Sequence, residues 1–193
     1  MALKSTDQRW GGVAKTIHWL MALGILGAGV LGLVMHEMDR GMAKLNAFAI
    51  HKSIGLTLLA LFLLRLAWRL FDRRPADEPM PRVQRLAAHA VHGVLYLFML
   101  ALPLSGWLYN SARGYPLQWF KQFNLPALVS KNEQLAEFVI EVHEWLFWAL
   151  LVVLAAHVGG ALMHHFLERD NTLLRMLPFA RLRTPKTDQG DSR

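Results

Sequence analysis

Cysteine is absent from the 193 residues. That excludes disulfides, iron–sulfur clusters and covalent haem attachment through a C-x-x-C-H motif. Charge is scarce as well. Asp, Glu, Lys and Arg make up 18% of the chain against 54% apolar residues, and mean hydropathy is +0.26. A water-soluble domain of this length carries more charge and less apolar surface. No glycine-rich nucleotide loop, hydrolase triad or internal repeat occurs, so the common enzyme signatures are missing too.

Long apolar runs are what the chain has. They fall at 17–35, 48–68, 86–108 and 138–163, each near or above the ~20 residues that cross a bilayer. The first has a basic lead like a signal peptide, but its apolar run exceeds the usual length, so it reads as a span. In lipid the backbone must satisfy its own polar groups, so the expected fold is all-α, a transmembrane four-helix bundle. The spans are placed at about 17–36, 48–69, 86–108 and 138–164 of one integral-membrane domain, 1–178. A polar tail, 179–193, follows.

Net charge is +7 and the isoelectric point is near 10.1. The basic residues flank spans, so they report membrane orientation rather than nucleic acid. Fourteen lie before span one, between spans two and three, or in the tail; five lie in the other two loops. The positive-inside rule then puts both termini in the cytoplasm.

Ionisable residues inside spans are costly and mark function. His143 and His157 both lie inside span four, 14 residues apart. That is about 21 Å along a helix and about 40° short of four full turns, so both leave one face at different depths. His51 lies near the outer end of span two and His18 near the inner end of span one. Each depth thus has one imidazole from span four and one from another helix. His89, His92, His164 and His165 are rivals at the inner depth, and His36, past span one, suits a solvated role. Two axial imidazoles per iron make a low-spin electron-transfer haem. Without cysteine such a haem is held by coordination and packing alone, the b-type arrangement. Zinc is the main metal rival. It prefers four close ligands, and Glu141 and Glu144 beside His143 keep it open.

Other features fit around these histidines. Arg65 and Arg69 follow His51 by 14 and 18 residues on nearly the same face, and guanidiniums there suit haem propionates or snorkel to the surface. Gly24, Ala28 and Gly32 recur every four residues, as a helix contact or a smooth face for a macrocycle. Between spans three and four, Tyr115, Leu117, Trp119, Phe120, Phe123 and Leu125 suggest a short amphipathic surface helix roofing the outer site. Lys52, Arg113 and Lys121 would make that mouth electropositive.

The ordered set TIHWL, IHKSIGL, RLAWRL, LPLSGWLYN, VHEWL, LAAHVGGALMHHF and DNTLLRMLP resembles the bacterial cytochrome b-561 family, four-span di-haem membrane proteins, over nearly the whole chain. The resemblance implies two haem b groups. It places His18 and His157 on the inner iron and His51 and His143 on the outer one, and leaves His89 and His92 unligated. It also implies the bacterial inner membrane, with electron transfer between a periplasmic donor and the ubiquinone pool. One branch of that family is a superoxide oxidase. The alternative is an anchor cytochrome b subunit of a hydrogenase or dehydrogenase complex. A transporter using its histidines for metal or protons is a third reading.

Overall fold

A computed structural model describes residues 2–183. Four long helices dominate: α1 (Gly12–Glu37), α2 (Met42–Phe71), α3 (Arg82–Ala112) and α4 (Glu133–Met163). All four are long and apolar enough to cross a membrane. Each starts or ends several residues beyond its apolar run, because polar helix formers such as Lys44, Gln84 and Gln134 prolong it outside the hydrocarbon. The expected 37–47 loop therefore shrinks to four residues, since α2 begins at Met42. A π-helical turn (His164–Glu168) continues α4, and a short α5 (Thr172–Met176) follows it before Pro178. The polar tail expected from 179 on lies, beyond residue 183, outside the described residues.

Neighbouring helices pack in chain order, α1 on α2, α2 on α3 and α3 on α4. Large apolar side chains such as Leu23, Val30, Leu63, Leu97, Trp148 and Val152 face outward, as a lipid-facing surface requires. The buried cluster is Ile17, Met21, Leu58, Phe62, Phe98, Met99 and Leu150. Leu58 follows His51 by seven residues and Leu150 lies midway between His143 and His157. The apolar core thus sits between the two histidine depths.

The connection between α3 and α4 corrects the sequence reading. The expected amphipathic helix is instead an antiparallel hairpin, β1 (Leu117–Trp119) and β2 (Phe123–Leu125), with Leu117 opposite Leu125 and Trp119 opposite Phe123. The apolar residues at 115, 117 and 119, and at 123 and 125, alternate with period two, which is strand spacing. Pro116 and Pro126 bracket them and disfavour helix. Phe120 and Lys121 turn the chain at φ 45° and 60°, with Gln122 N–H donating to Trp119 O at 2.9 Å. Two successive non-glycine residues at positive φ are strained, so outside contacts hold the turn. Phe120 N–H donates to Ser53 Oγ at 2.9 Å and Trp119 Nε1 to Thr57 Oγ1 at 2.9 Å. The hairpin is thereby docked on α2.

At the opposite, terminal end, residues 2–11 fold over the bundle. Ser5 donates through N–H and Oγ to the Asp72 carboxylate at 2.8 and 2.6 Å, and Gly11 N–H donates to Ser5 Oγ at 2.9 Å. A Cβ on Gly11 would meet Leu3 O at 2.4 Å, so only glycine lets these segments cross. Lys15 Nζ and Trp19 Nε1 donate to the carbonyls of Leu177 and Met176 at 3.0 and 3.1 Å. Arg175 on α5 pairs with Glu78 at 2.9 Å. Ser5 and Arg175 are thus both tied to the α2–α3 connection.

Candidate functional site

The four histidines singled out in the sequence meet in two pairs. The rings of His51 (α2) and His143 (α4) lie 6.3 Å apart between centroids, at 76° to each other, at the hairpin end. Those of His18 (α1) and His157 (α4) lie 6.2 Å apart at 65°, at the terminal end. Two metal–nitrogen bonds of about 2 Å each, with ring centres about 1.1 Å behind the nitrogens, require about 6.3 Å. Both gaps are therefore the size that one metal ion between two imidazoles needs.

Tautomers at the hairpin end are fixed by the neighbouring helices. His51 Nδ1–H donates to the Ala28 carbonyl at 3.1 Å. Ser105 Oγ donates to Leu102 O at 2.9 Å, so it accepts from His143 Nδ1–H, also at 2.9 Å. With Nδ1 protonated, each Nε2 lone pair is free for a metal, as a ligand with an anchored second nitrogen requires. A glycine accompanies each ring. A Cβ on Gly32 would stand 3.4 Å from His51 Cε1, and one on Gly106 would stand 3.4 Å from His143 Cε1. Each glycine thus lets an imidazole lie close against the backbone of the facing helix. Of the small-residue stripe, Gly32 serves this contact. Gly24 serves helix packing, since its Cβ would meet Leu58 Cδ2 at 2.9 Å.

The terminal-end pair is built differently. His18 packs edge-on against Trp19, centroids 5.4 Å apart, and His157 against His92, 5.1 Å apart. His92 donates from Nδ1 to Ala88 O at 2.6 Å. Arg69 Nη1 and Arg65 Nε donate to Tyr96 Oη at 2.7 and 3.4 Å, and the Arg69 guanidinium lies 5.4 Å from the Tyr96 ring centre. Both arginines expected on the α2 face therefore gather at this end, on a hydroxyl that the sequence reading did not single out. The only sequence trace of it is that Tyr96 lies one helical turn after His92.

Of the rival histidines, His92 stays beside His157, while His89, His164 and His165 lie elsewhere. His89 lies 3.5 Å from Asp77, exposed. His164 Nδ1 is shared by Asp170 at 2.6 Å and Glu168 at 3.0 Å. His165 stacks edge-on against Phe166, and His36 is exposed. Among the described residues, only His164, Glu168 and Asp170 form a group of three metal-type ligands. Glu141 and Glu144 do not join His143 in one, so neither imidazole pair has the donors of a zinc tetrahedron.

The hairpin-end mouth is less basic than its sequence implied. Arg113 is paired with Glu133, and Lys131 reaches the same carboxylate at 3.3 Å. Lys52 and Lys121 hold amide oxygens instead, those of Asn110 at 3.0 Å and Asn46 at 3.3 Å.

Comparison with known proteins agrees with this geometry. The family model described as prokaryotic cytochrome b561 matches residues 9–179. Cytochrome b561 homolog 2 of Escherichia coli K12 is 37% identical over 92% of this chain and 95% of its own length. Cytochrome b561 homolog 1 of that organism is 40% identical over 52% of the chain and 56% of its own length. A probable superoxide oxidase CybB of Yersinia pestis is 34% identical over 84% of the chain and 92% of its own length. A four-helix membrane bundle with opposed imidazoles suits the b-type haem that such proteins imply, and the chain belongs to the prokaryotic cytochrome b561 family of membrane electron-transfer proteins.

Proposed function

We propose that the protein is a di-haem b-type cytochrome that carries electrons across the bacterial inner membrane to the ubiquinone pool. Its donor is on the periplasmic side, with superoxide the leading substrate. One observation carries this reading: four imidazoles from three helices stand in two opposed pairs, 6.3 and 6.2 Å apart. Bound haem supplies a one-electron Fe(III)/Fe(II) couple at each pair. The chain supplies everything else. His51 and His143 would hold the outer iron and His18 and His157 the inner one. Arg65 and Arg69, one turn apart on α2 and both bonded to Tyr96, would supply the positive charge for propionates of the inner group. The layer of Leu58, Leu150, Phe62 and Phe98 keeps water out between the two depths. The charge bias of the loops supports a cytoplasmic His18–His157 end.

Superoxide is an anion that becomes oxygen on losing one electron, and two such electrons with two protons reduce a quinone to a quinol. Lys52 and Lys121 at the hairpin mouth, bonded only to neutral amides among the described residues, favour anion approach. A pyridine haemochrome assay with protein quantitation should give about two haem b per chain. In stopped flow, superoxide should reduce the oxidised protein faster than background, and a quinone analogue should reoxidise it. An intact, fully expressed protein with no Soret band would refute the cytochrome reading. Coloured protein inert to superoxide would refute only the substrate.

A further inference from the structure

The two imidazole pairs sit in opposite electrostatic settings. At the hairpin end, both histidines donate Nδ1–H to a polar oxygen, Ala28 O at 3.1 Å and Ser105 Oγ at 2.9 Å. Such bonds raise ligand basicity and favour the oxidised, more positive iron. At the terminal end His18 and His157 show no such bond among the described residues. Their ring neighbours are Trp19 and His92. Arg65 and Arg69 bond Tyr96, one helical turn from the His92 that packs on His157, whereas the hairpin-end cations Lys52 and Lys121 are drawn to the amide oxygens of Asn110 and Asn46. Tyr96 Oη, accepting from Arg65 Nε and Arg69 Nη1, holds both guanidiniums at this depth, and the Phe62 ring packs edge-on against Tyr96 with centroids 5.7 Å apart. Two arginines that could have snorkelled to the surface are thus held inward by a hydroxyl on the facing helix.

We infer that Arg65, positioned by Tyr96, raises the potential of the terminal-end iron above that of the hairpin-end iron, so that electrons run downhill from the hairpin to the terminal end. The inference rests on the two-haem reading and adds its polarity. At about 10 Å through an effective dielectric of about 20, one unit charge shifts a one-electron equilibrium on the order of tenfold. Hydrogen bonding to both imidazoles at the far end pulls the other iron the opposite way. The two effects add to the same gap. The positioning role belongs to this chain's own residues, since Arg65 acts through space and touches no iron ligand bond.

The test is a spectroscopic redox titration of the purified holoprotein and of Arg65→Leu, Arg65→Lys, Tyr96→Phe and Ser105→Ala. Wild type should titrate in two steps. Arg65→Leu should lower the upper step by about tenfold in equilibrium constant, ~59 mV for one electron, and leave the lower step in place. Arg65→Lys, which keeps the charge, should restore most of that loss. Ser105→Ala should move only the lower step. Tyr96→Phe keeps both arginines but frees them, and should lower the upper step even if Arg65→Leu fails to accumulate. The inference is overturned if wild type titrates as one step, if Arg65→Leu or Tyr96→Phe moves the lower step, or if neither moves either. Absence of a second haem in wild type would instead remove the two-haem reading, and haemochrome stoichiometry separates that case from the others.

Discussion

Replacing His143 by alanine should empty the hairpin-end site and spare the other. The substitution removes one of two nitrogens facing across a 6.3 Å ring gap, leaving His51 as the only imidazole of the pair. Losing an outer-shell partner of a ligand costs about 10–100-fold in metal affinity, about 1.4–2.7 kcal/mol. Losing the ligand itself costs more, so the group should not survive purification in detergent. The second site lies 14 residues on along the unbroken helix α4, about 21 Å away, with the Leu58–Leu150 layer between. Local collapse around the truncated side chain should not reach it. Haem per chain, by pyridine haemochrome against quantitative amino-acid analysis, should fall from about two to about one. His157→Ala should do the converse, removing the terminal-end group. If either variant keeps two haems with an unchanged low-spin spectrum, the pairing is wrong. If either loses both while remaining folded by circular dichroism, the sites are not independent.

Three further outcomes follow from particular contacts. His164→Ala should leave haem content unchanged, because it sits with Glu168 and Asp170 in a cluster apart from both imidazole pairs; loss of a haem in the same assay would contradict this. Ser53→Ala strands the Phe120 N–H of the hairpin turn, which costs roughly 1–3 kcal/mol when buried. Hydrogen exchange should accelerate across 117–125 while α2 stays protected, and uniform protection would count against docking by Ser53. Asp72 should make the N-terminal segment acid-sensitive. Burial raises its pKa, but hydrogen bonds from the Ser5 hydroxyl and N–H outweigh that and hold it below the ordinary 3.8. A carboxylate depressed in the folded state contributes stability above its unfolded pKa and loses it as pH falls through the folded one. Proteolysis of residues 2–11 should therefore stay slow at neutral pH and rise only in strong acid, and Ser5→Ala should already raise it at pH 7.

Much of the site was legible in the chain because helices carry periodicity faithfully. Fourteen residues between His143 and His157 fix both face and depth once the segment is helical. The same spacing placed Arg65 on the face of His51. The partner of those arginines was not legible, because Tyr96 belongs to another helix and nothing local marks its hydroxyl as shared. Ser105 and Gly106 were hidden for the same reason; they matter only because His143 of α4 lies against them. The loop between α3 and α4 went wrong at the sequence level because aromatics at 119, 120 and 123 mimic a helix stripe. The period-two signal from 115 to 119 is short, and the strained turn at Phe120 is stabilised by Ser53, 67 residues earlier.

Composition, span lengths and histidine spacing by themselves determined a four-helix membrane protein with imidazoles at two depths, since those follow from hydrocarbon thickness and 3.6 residues per turn. Tertiary structure alone decided which imidazoles face each other, which nitrogen of His51 and His143 stays free, and that Tyr96 holds Arg65 and Arg69 together. Those depend on distances between helices, which no single segment encodes.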